Sequence, residues 1–197
     1  WWETASITRD QQKQFFSKYE RYLDKDSHRV RLDALISRGQ YSQAHGVAAL
    51  LGPGYQALAE ARVALANGEG DVNGYLNRVP SNLQNDEGLL YERLRWRRKA
   101  EMDSGALEIL GKEPAFGAKH DPEAWWTERQ IMARRLIEKG NYTQAYALAK
   151  NHRQKEGLPF AEAEWLSGWI ALENLNRPWD AFEHFERMYH KVETPIS

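Results

Sequence analysis

Paired acidic side chains are the first residues in this chain that could do chemistry. Glycoside cleavage by two carboxyl groups needs them about 5 to 9.5 Å apart and facing one substrate. Glu162 and Glu164 are two residues apart in the sequence, and residues two apart on a helix point in different directions. We therefore predict that these two glutamates are helix-surface acids or caps of neighbouring backbone.

The histidines and cysteines do not form a metal-binding or nucleophilic pattern. His184 and His190 are six residues apart, whereas a zinc-binding helix places two histidines four apart. The absence of cysteine excludes disulfides, thiolate ligands and cysteine catalysis. The sequence therefore predicts no catalytic residue, no metal site and no cofactor.

A basic run is a candidate contact for acidic groups. It contains Arg93, Arg95, Arg97, Arg98 and Lys99. Arginine can hold a carboxylate, such as those of peptidoglycan stem peptides, through two parallel hydrogen bonds. The alternative is an ordinary ion-paired helix face in contact with water.

Two adjacent tryptophans, Trp125 and Trp126, are candidates for stacking on a sugar ring. Neighbouring residues on a helix cannot face the same way, so one ring can point outward. The alternative is packing in the core, where tryptophan contributes most buried area. The candidate contacts with glycan or peptidoglycan are Trp125, Trp126, Arg95 and Arg98.

A repeated segment indicates which elements position these residues. Residues 35–44 (LISRGQYSQA) recur as residues 136–145 (LIEKGNYTQA), 101 residues later. This distance is about three times the ~34-residue period of helix-turn-helix arrays. Turn signals recur at intervals of 31 to 37 residues, at Gly39, Gly70, Gly105, Gly140 and Arg177-Pro178. The pattern predicts an all-α fold of about ten or eleven helices arranged as a right-handed superhelix.

Capping signals and apolar spacing predict the helix bounds. Thr8 begins the first helix, Gly39 ends the second, and Asp121 with Pro122 begins the longest. The predicted helical ranges are 27–38, 41–51, 55–67, a helix after Asp86, a short helix after Gly105, 122–139, 142–151, 160–175 and 178 to just before Thr194-Pro195. Residues 111–120 are predicted to form a loop. The segment 160–175 is apolar almost all round, which predicts a helix buried on several sides, with its tryptophans filling the interior.

Composition limits the class of protein. The chain has 197 residues, of which 42% are hydrophobic, and a net charge of −1. This charge gives no field to attract nucleic acid, and no apolar run approaches the ~20 residues that span a bilayer. The chain begins Trp1-Trp2-Glu3, so we expect that any export signal has been removed or was not included.

An ordered series of segments resembles the soluble lytic murein transglycosylase family. The series runs through Gly140-Asn141-Tyr142-Thr143-Gln144-Ala145-Tyr146, then residues 160–172 (FAEAEWLSGWIAL), residues 181–185 (AFEHF) and residues 192–197 (VETPIS). It is similar to the superhelical region that precedes the catalytic domain in those enzymes. The match is strongest over residues 125–197, and the first hundred residues fit as preceding helical repeats.

The resemblance implies a periplasmic bacterial enzyme that cleaves the N-acetylmuramic acid to N-acetylglucosamine bond and forms an anhydro ring. The family's Glu-Ser and Gly-Leu-Met-Gln catalytic motifs are missing here, so no catalytic residue is transferred. We expect residues 1–197 to form one helical-repeat domain, a fragment without the lysozyme-like domain, that positions the catalytic domain and guides peptidoglycan. The alternative is a free-standing tetratricopeptide-like adaptor that binds a protein or peptide.

Overall fold

The computed structural model describes residues 2–68, 70–112 and 121–191. These ranges contain eleven α-helices and no strand, which confirms the all-α prediction. The helices are α1 (Arg9–Tyr19), α2 (Lys25–Ser37), α3 (Tyr41–Leu51), α4 (Pro53–Asn67), α5 (Val72–Arg78), α6 (Glu87–Lys99), α7 (Asp103–Lys112), α8 (Pro122–Glu138), α9 (Tyr142–Lys150), α10 (Gly157–Trp169) and α11 (Pro178–Lys191). The chain divides into two compact units, 1–96 and 97–197, and each is described by itself. The single-domain expectation stays a prediction.

The predicted helix starts rest on side-chain caps. The Thr8 hydroxyl accepts a hydrogen bond from the Gln11 backbone N–H at 3.2 Å, and the Gln11 side chain accepts from the Thr8 N–H at 2.9 Å, which is the predicted capping box. Asp24 caps α2 by accepting from Ser27 N–H at 2.8 Å, so this helix begins two residues earlier than predicted. Asp121 caps α8 in the same way, as predicted.

The sequence repeat is also a structural repeat. The hairpin α2–α3 turns at Gly39, whose φ is 69°, and the hairpin α8–α9 turns at Gly140, whose φ is 74°. A positive φ suits glycine, which has no side-chain clash in this conformation. The N–H after each glycine bonds back to a leucine carbonyl, from Gln40 to Leu35 and from Asn141 to Leu136, both at 2.8 Å.

Each unit has a core built from these hairpins. In the first unit, one buried cluster joins α2 and α3 to Ala59 of α4 around Leu35 and Val47. A second joins α4 and α5 to Leu89 of α6 around Leu58. In the second unit, α10 packs on both α8 and α9, and α11 packs on α10. Gly168 allows this last approach, because a Cβ there would lie 2.6 Å from Phe185 Cε1.

Two further predicted boundaries differ from the structure. Gly105 does not mark a turn, because it lies inside α7, which begins at Asp103. There it makes room for Arg97, which donates to the Gly105 carbonyl at 2.7 Å. The helix predicted over 160–175 begins earlier, at Gly157, and its last turn widens into a π-helical turn over Ile170–Asn174.

One helix of the described fold was not predicted, and two predictions lie wholly or partly outside the described residues. The short helix α5 follows Asp71, which caps it through Gly74 N–H at 2.9 Å. In agreement with the sequence prediction, no helix in the described ranges is both long and apolar enough to cross a membrane. The loop predicted over 111–120 is helical as far as Lys112, and its remainder lies outside the described residues. The predicted helix end at Thr194-Pro195 also lies outside them.

Candidate functional site

The sequence prediction for Glu164 is wrong, because this acid is buried. Its residue is 4% exposed, whereas Glu162 lies at the surface as predicted. The physical reason is the position of Glu164 on the side of α10 that packs against α11. There it meets partners from two other segments of the second unit, α11 and the loop after α9, which sequence spacing alone did not bring together.

The Glu164 carboxylate is surrounded by four hydrogen-bond donors from three side chains. His184 Nδ1 lies 2.5 Å from Oε2, and His152 Nε2 lies 3.3 Å from Oε1. Arg187 adds two bonds, from Nε to Oε1 at 3.1 Å and from Nη2 to Oε2 at 3.0 Å. Tyr146 of α9 completes this Glu164 network, with its hydroxyl 3.2 Å from His184 Nε2.

The ring nitrogens of the two histidines connect the network. His152 Nδ1 accepts from the Gln154 backbone N–H at 3.0 Å, so Nε2 carries the proton that is donated to Glu164. His184 Nδ1 lies 2.5 Å from Glu164 Oε2 and 2.6 Å from Arg187 Nη2, and its Nε2 faces the Tyr146 hydroxyl. His184 therefore links the carboxylate to the guanidinium and to the phenol.

These contacts define what Glu164 can do chemically. Burial by itself raises the pKa of Glu164, but the hydrogen bonds from His152, His184 and Arg187 outweigh it and hold this pKa far below its usual range. A general acid in glycoside cleavage instead needs a raised pKa and a proton to give. Glu164 is therefore ionised at neutral pH, and it ties α10 to α11 and, through His184 and Tyr146, to α9.

The first unit has a buried ionic cluster with the opposite charge at its centre. Arg62 of α4 is 4% exposed; it pairs with Asp33 of α2, and its Nη1 lies 3.9 Å from Asp86. Burial lowers the pKa of Arg62, but the two aspartates outweigh this effect and raise it. Residues 59–61 (AEA) correspond to residues 161–163 (AEA). Arg62 therefore occupies the repeat position of Glu164, with the charge inverted.

The two predicted tryptophans are both interior residues. Trp125 is 3% exposed and Trp126 is 2% exposed, which is the core-packing alternative. Trp126 Nε1 donates to Glu162 Oε2 at 3.3 Å, so its polar edge reaches the surface acid while its ring is covered. Stacking of a sugar on either ring would require that ring to leave the core.

The predicted arginines are ion-paired. Arg98 forms a two-bond pair with Glu128 of α8, which is 2% exposed. Arg95 lies 3.6 Å from Glu92 and over the ring of Tyr91 at 5.6 Å. These contacts are those expected of an ion-paired helix face. A contact between the basic run and a substrate stays a prediction.

Sequence reasoning missed an exposed apolar row on α10, which we call the α10 face. Leu158, Trp165 and Leu172 are 70%, 49% and 43% exposed, and Trp169 is half-buried. The ring centroids of Trp165 and Trp169 lie 6.2 Å apart, with their planes 10° from parallel. The prediction that these tryptophans fill the interior is wrong for Trp165. The spacing of seven between Leu158 and Trp165 was the available signal, since it places them on one side of α10, and Leu172 follows in the π-helical turn.

In the first unit, the corresponding face of α4 lines a solvent-accessible groove. Glu60 and Val63 of α4, which precede Glu162 and Trp165 by 102 residues, line a groove of about 430 Å³. The groove is also lined by His45, Ala64, Asn67, Gly70 and Tyr75. Arg78 borders it, 3.4 Å from the Glu60 carboxylate and over the Tyr75 ring at 4.5 Å.

Comparisons with protein-family models, with curated proteins and with solved structures gave no match to this chain. The family resemblance therefore rests on the motif series alone. Within the described ranges, no group of three histidine, aspartate or glutamate residues is arranged to hold a metal ion.

Proposed function

We propose that this chain is the non-catalytic superhelical part of a periplasmic lytic murein transglycosylase, which positions the catalytic domain and guides peptidoglycan. In this proposal the helical pairs stack into a right-handed superhelix. Bond cleavage, with formation of the anhydro ring, belongs to a lysozyme-like domain outside this chain.

One observation carries the proposal: the residues of the family-like series have packing roles. Tyr146, Glu164 and His184 belong to the buried network that ties α9, α10 and α11. Gly168 lets α11 approach α10 at Phe185. Because these residues hold successive helices together, they support a structural role, as expected in a stacked helical array.

A sedimentation experiment tests this function. The purified chain is mixed with murein sacculi, and we expect it to pellet with them and to remain in solution when the sacculi are first digested with a muramidase. Mass spectrometry of the same mixtures is expected to show no anhydro-muropeptides. Release of these products by the purified chain, or failure to pellet with intact sacculi, would contradict the scaffold proposal.

The groove of the first unit favours a second candidate, a tetratricopeptide-like adaptor. Helical arrays bind peptides in such grooves, and this one combines Tyr75 and Val63 with the polar side chains of Glu60 and Asn67. Sedimentation separates the two functions, because an adaptor remains in solution beside sacculi. An adaptor also binds members of a peptide library with an affinity that falls on substitution of Val63 by Asp.

A further inference from the structure

A cavity of the first unit lies between α1 and α3. Its volume is about 260 Å³. We call it the α1–α3 cavity, and its apolar and small lining residues are Trp2, Phe16, Gly46, Val47 and Leu50. At roughly 30 Å³ for each water-sized volume, it has room for about eight or nine non-hydrogen atoms. The cavity therefore suits a small molecule.

The walls of the α1–α3 cavity are mainly apolar. Trp2 is 4% exposed, and its ring centroid lies 6.4 Å from that of Phe16. Val47 is buried, whereas Leu50 on the same helix is 46% exposed. Small-ligand sites typically combine apolar walls with a few placed polar groups. An inorganic anion would leave these walls without a contact, so the cavity favours a ligand with an apolar body.

Gly46 keeps the cavity open. It lies inside α3, where glycine is less favourable than alanine. A Cβ at Gly46 would have no neighbour within 4 Å, so the packing of α3 does not require glycine. Ala147 occupies the corresponding position of the second repeat, 101 residues later. A long side chain at Gly46 would instead occupy the cavity that this residue lines.

The charged residues of the lining are cations. Arg9 and Lys13 are four residues apart and therefore lie on the same side of α1. Both are exposed, so they lie where the cavity meets the solvent. The described residues that line the cavity include no aspartate or glutamate. The lining therefore attracts an anionic group and repels a cationic one.

A third cation lies behind the lining. Arg31 is fully buried; its Nε and Nη2 donate to Gln12 Oε1 at 3.3 and 3.1 Å, and its Nη1 donates to the Ala5 carbonyl. Within the described part of the chain these partners are neutral acceptors, whereas buried charges are normally paired with an opposite charge. Because Gln12 also lines the cavity, the unbalanced charge of Arg31 adds to the positive potential there.

Two lining residues each have a buried polar atom without a partner among the residues that the structure describes. Trp2 Nε1 is a donor without an acceptor, and Gln43 Oε1 is an acceptor without a donor. Buried polar groups are normally hydrogen-bonded. A carboxylate in the cavity supplies an acceptor for Trp2. An ammonium group would suit Gln43 but would be repelled by the three cations, so the balance favours a carboxylate without an amino group.

We propose that the α1–α3 cavity binds a small monocarboxylate with an apolar body of about five or six carbons. The carboxylate pairs with Arg9 and Lys13 at the mouth and accepts a hydrogen bond from Trp2 Nε1, while the carbon chain lies against the apolar walls. This binding goes beyond the proposed murein function, because none of these residues belongs to the series within residues 140–197 that carries the family resemblance.

Titration of the complete chain with hexanoate, a carboxylate of this size, tests the site. NMR signals of the tryptophan indole N–H groups report binding, and Trp2→Phe identifies the Trp2 signal. We expect this signal to shift the most, with a Kd of about 1 mM. 1-Hexanol, which lacks the charge, should bind at least about tenfold more weakly, and hexylammonium should give no shift at about 10 mM.

The role of the cations is tested by substitutions that each remove one positive charge from α1. Arg9→Gln and Lys13→Gln should each raise the Kd for hexanoate about threefold. Lys18→Gln is the matched control, because Lys18 is an exposed cation of the same helix that does not line the cavity. It should leave the Kd within about 1.5-fold.

The role of the cavity is tested by filling it. Gly46→Leu should abolish the shift of the Trp2 signal, because the new side chain takes the place of the ligand. Ala147→Leu is the matched control at the same position of the second repeat, where Ala147 is exposed on α9, and it should leave the Kd unchanged. Circular dichroism should show both variants folded.

Several results would overturn the proposal. One is the absence of a Trp2 shift at about 20 mM hexanoate, and another is equally tight binding of 1-hexanol or acetate. Tighter binding of norleucine, which is hexanoate with an α-amino group, would show that the ammonium group is recognised instead. The proposal also fails if Lys18→Gln weakens binding as much as Lys13→Gln, or if folded Gly46→Leu binds hexanoate like the wild type. Sedimentation with sacculi is a separate measurement, so the murein function and this site stand or fall independently.

Discussion

Replacing Glu164 by glutamine should destabilise the second unit strongly. Glutamine keeps the size of the side chain but removes the charge and introduces an NH2 group facing the donors of His152, His184 and Arg187. Hydrogen bonds to a charged group contribute about 1.5–3 kcal/mol each, and breaking a buried ion pair costs about 3–5 kcal/mol. The side chain of Arg187 is 45% exposed and can regain water, so we expect a loss of about 3 kcal/mol.

Urea unfolding at pH 7, followed by circular dichroism, measures this loss, and Tm should fall by roughly 10 °C. The matched control is Glu173→Gln, which removes an exposed acid from the turn that extends α10 and should change the free energy of unfolding by less than about 0.5 kcal/mol. Equal stability of Glu164→Gln and wild type would refute the view that the network ties the helices together.

The same pair of proteins has a defined pH dependence. The folded-state pKa of Glu164 is lowered, so its stabilising contribution is complete above the unfolded-state pKa of about 4.3 and is lost as pH falls toward the folded-state value. The difference in free energy of unfolding between wild type and Glu164→Gln should therefore shrink below about pH 4.3. A difference that is as large at pH 3 as at pH 7 would contradict an ionised Glu164.

Substitutions at three further positions test the packing and the caps. A Cβ at Gly88 would overlap the Arg62 guanidinium, so Gly88→Ala should cost about 2–3 kcal/mol in urea unfolding by displacing a buried ion pair. Gly111→Ala has no neighbour within 4 Å of its new Cβ and should instead stabilise α7 by up to about 1 kcal/mol. Asp121→Ala should lower stability by about 1 kcal/mol because Ala124 N–H loses its cap at 3.0 Å, whereas Asp121→Asn should retain most of it. If Gly88→Ala leaves the free energy of unfolding unchanged, or if Gly111→Ala lowers it as much as Gly88→Ala does, the space around these glycines is misjudged.

The local features of the fold were predictable because they depend on neighbours in the chain. The Thr8–Gln11 capping box is a contact between residues three apart. The turns at Gly39 and Gly140 need a positive φ, which glycine supplies in both repeats. Gly105 misled the prediction because glycine also occurs inside helices where another side chain must approach, here Arg97.

The candidate site was less predictable because burial depends on partners distant in sequence. The aromatic and apolar residues of α10 occur on every side of the helix, so periodicity did not separate Trp165 from the residues that face α8, α9 and α11. Glu164 looked like a surface acid because its donors, His152, His184 and Arg187, lie 12 to 23 residues away. Nothing in its immediate neighbours signals a buried carboxylate.

By itself, the sequence determined that this protein is a set of α-helical hairpins with a repeat of 101 residues, because caps, turns and apolar spacing act over a few residues. The tertiary structure alone decided which tryptophans are covered, such as Trp125 and Trp126, and which are exposed, such as Trp165 and Trp179. It also decided that the two repeats place opposite charges, Arg62 and Glu164, at the same buried position. Whether a side chain is buried or ion-paired depends on which segments pack against its helix. Those segments are distant in the sequence and come together only in the folded chain.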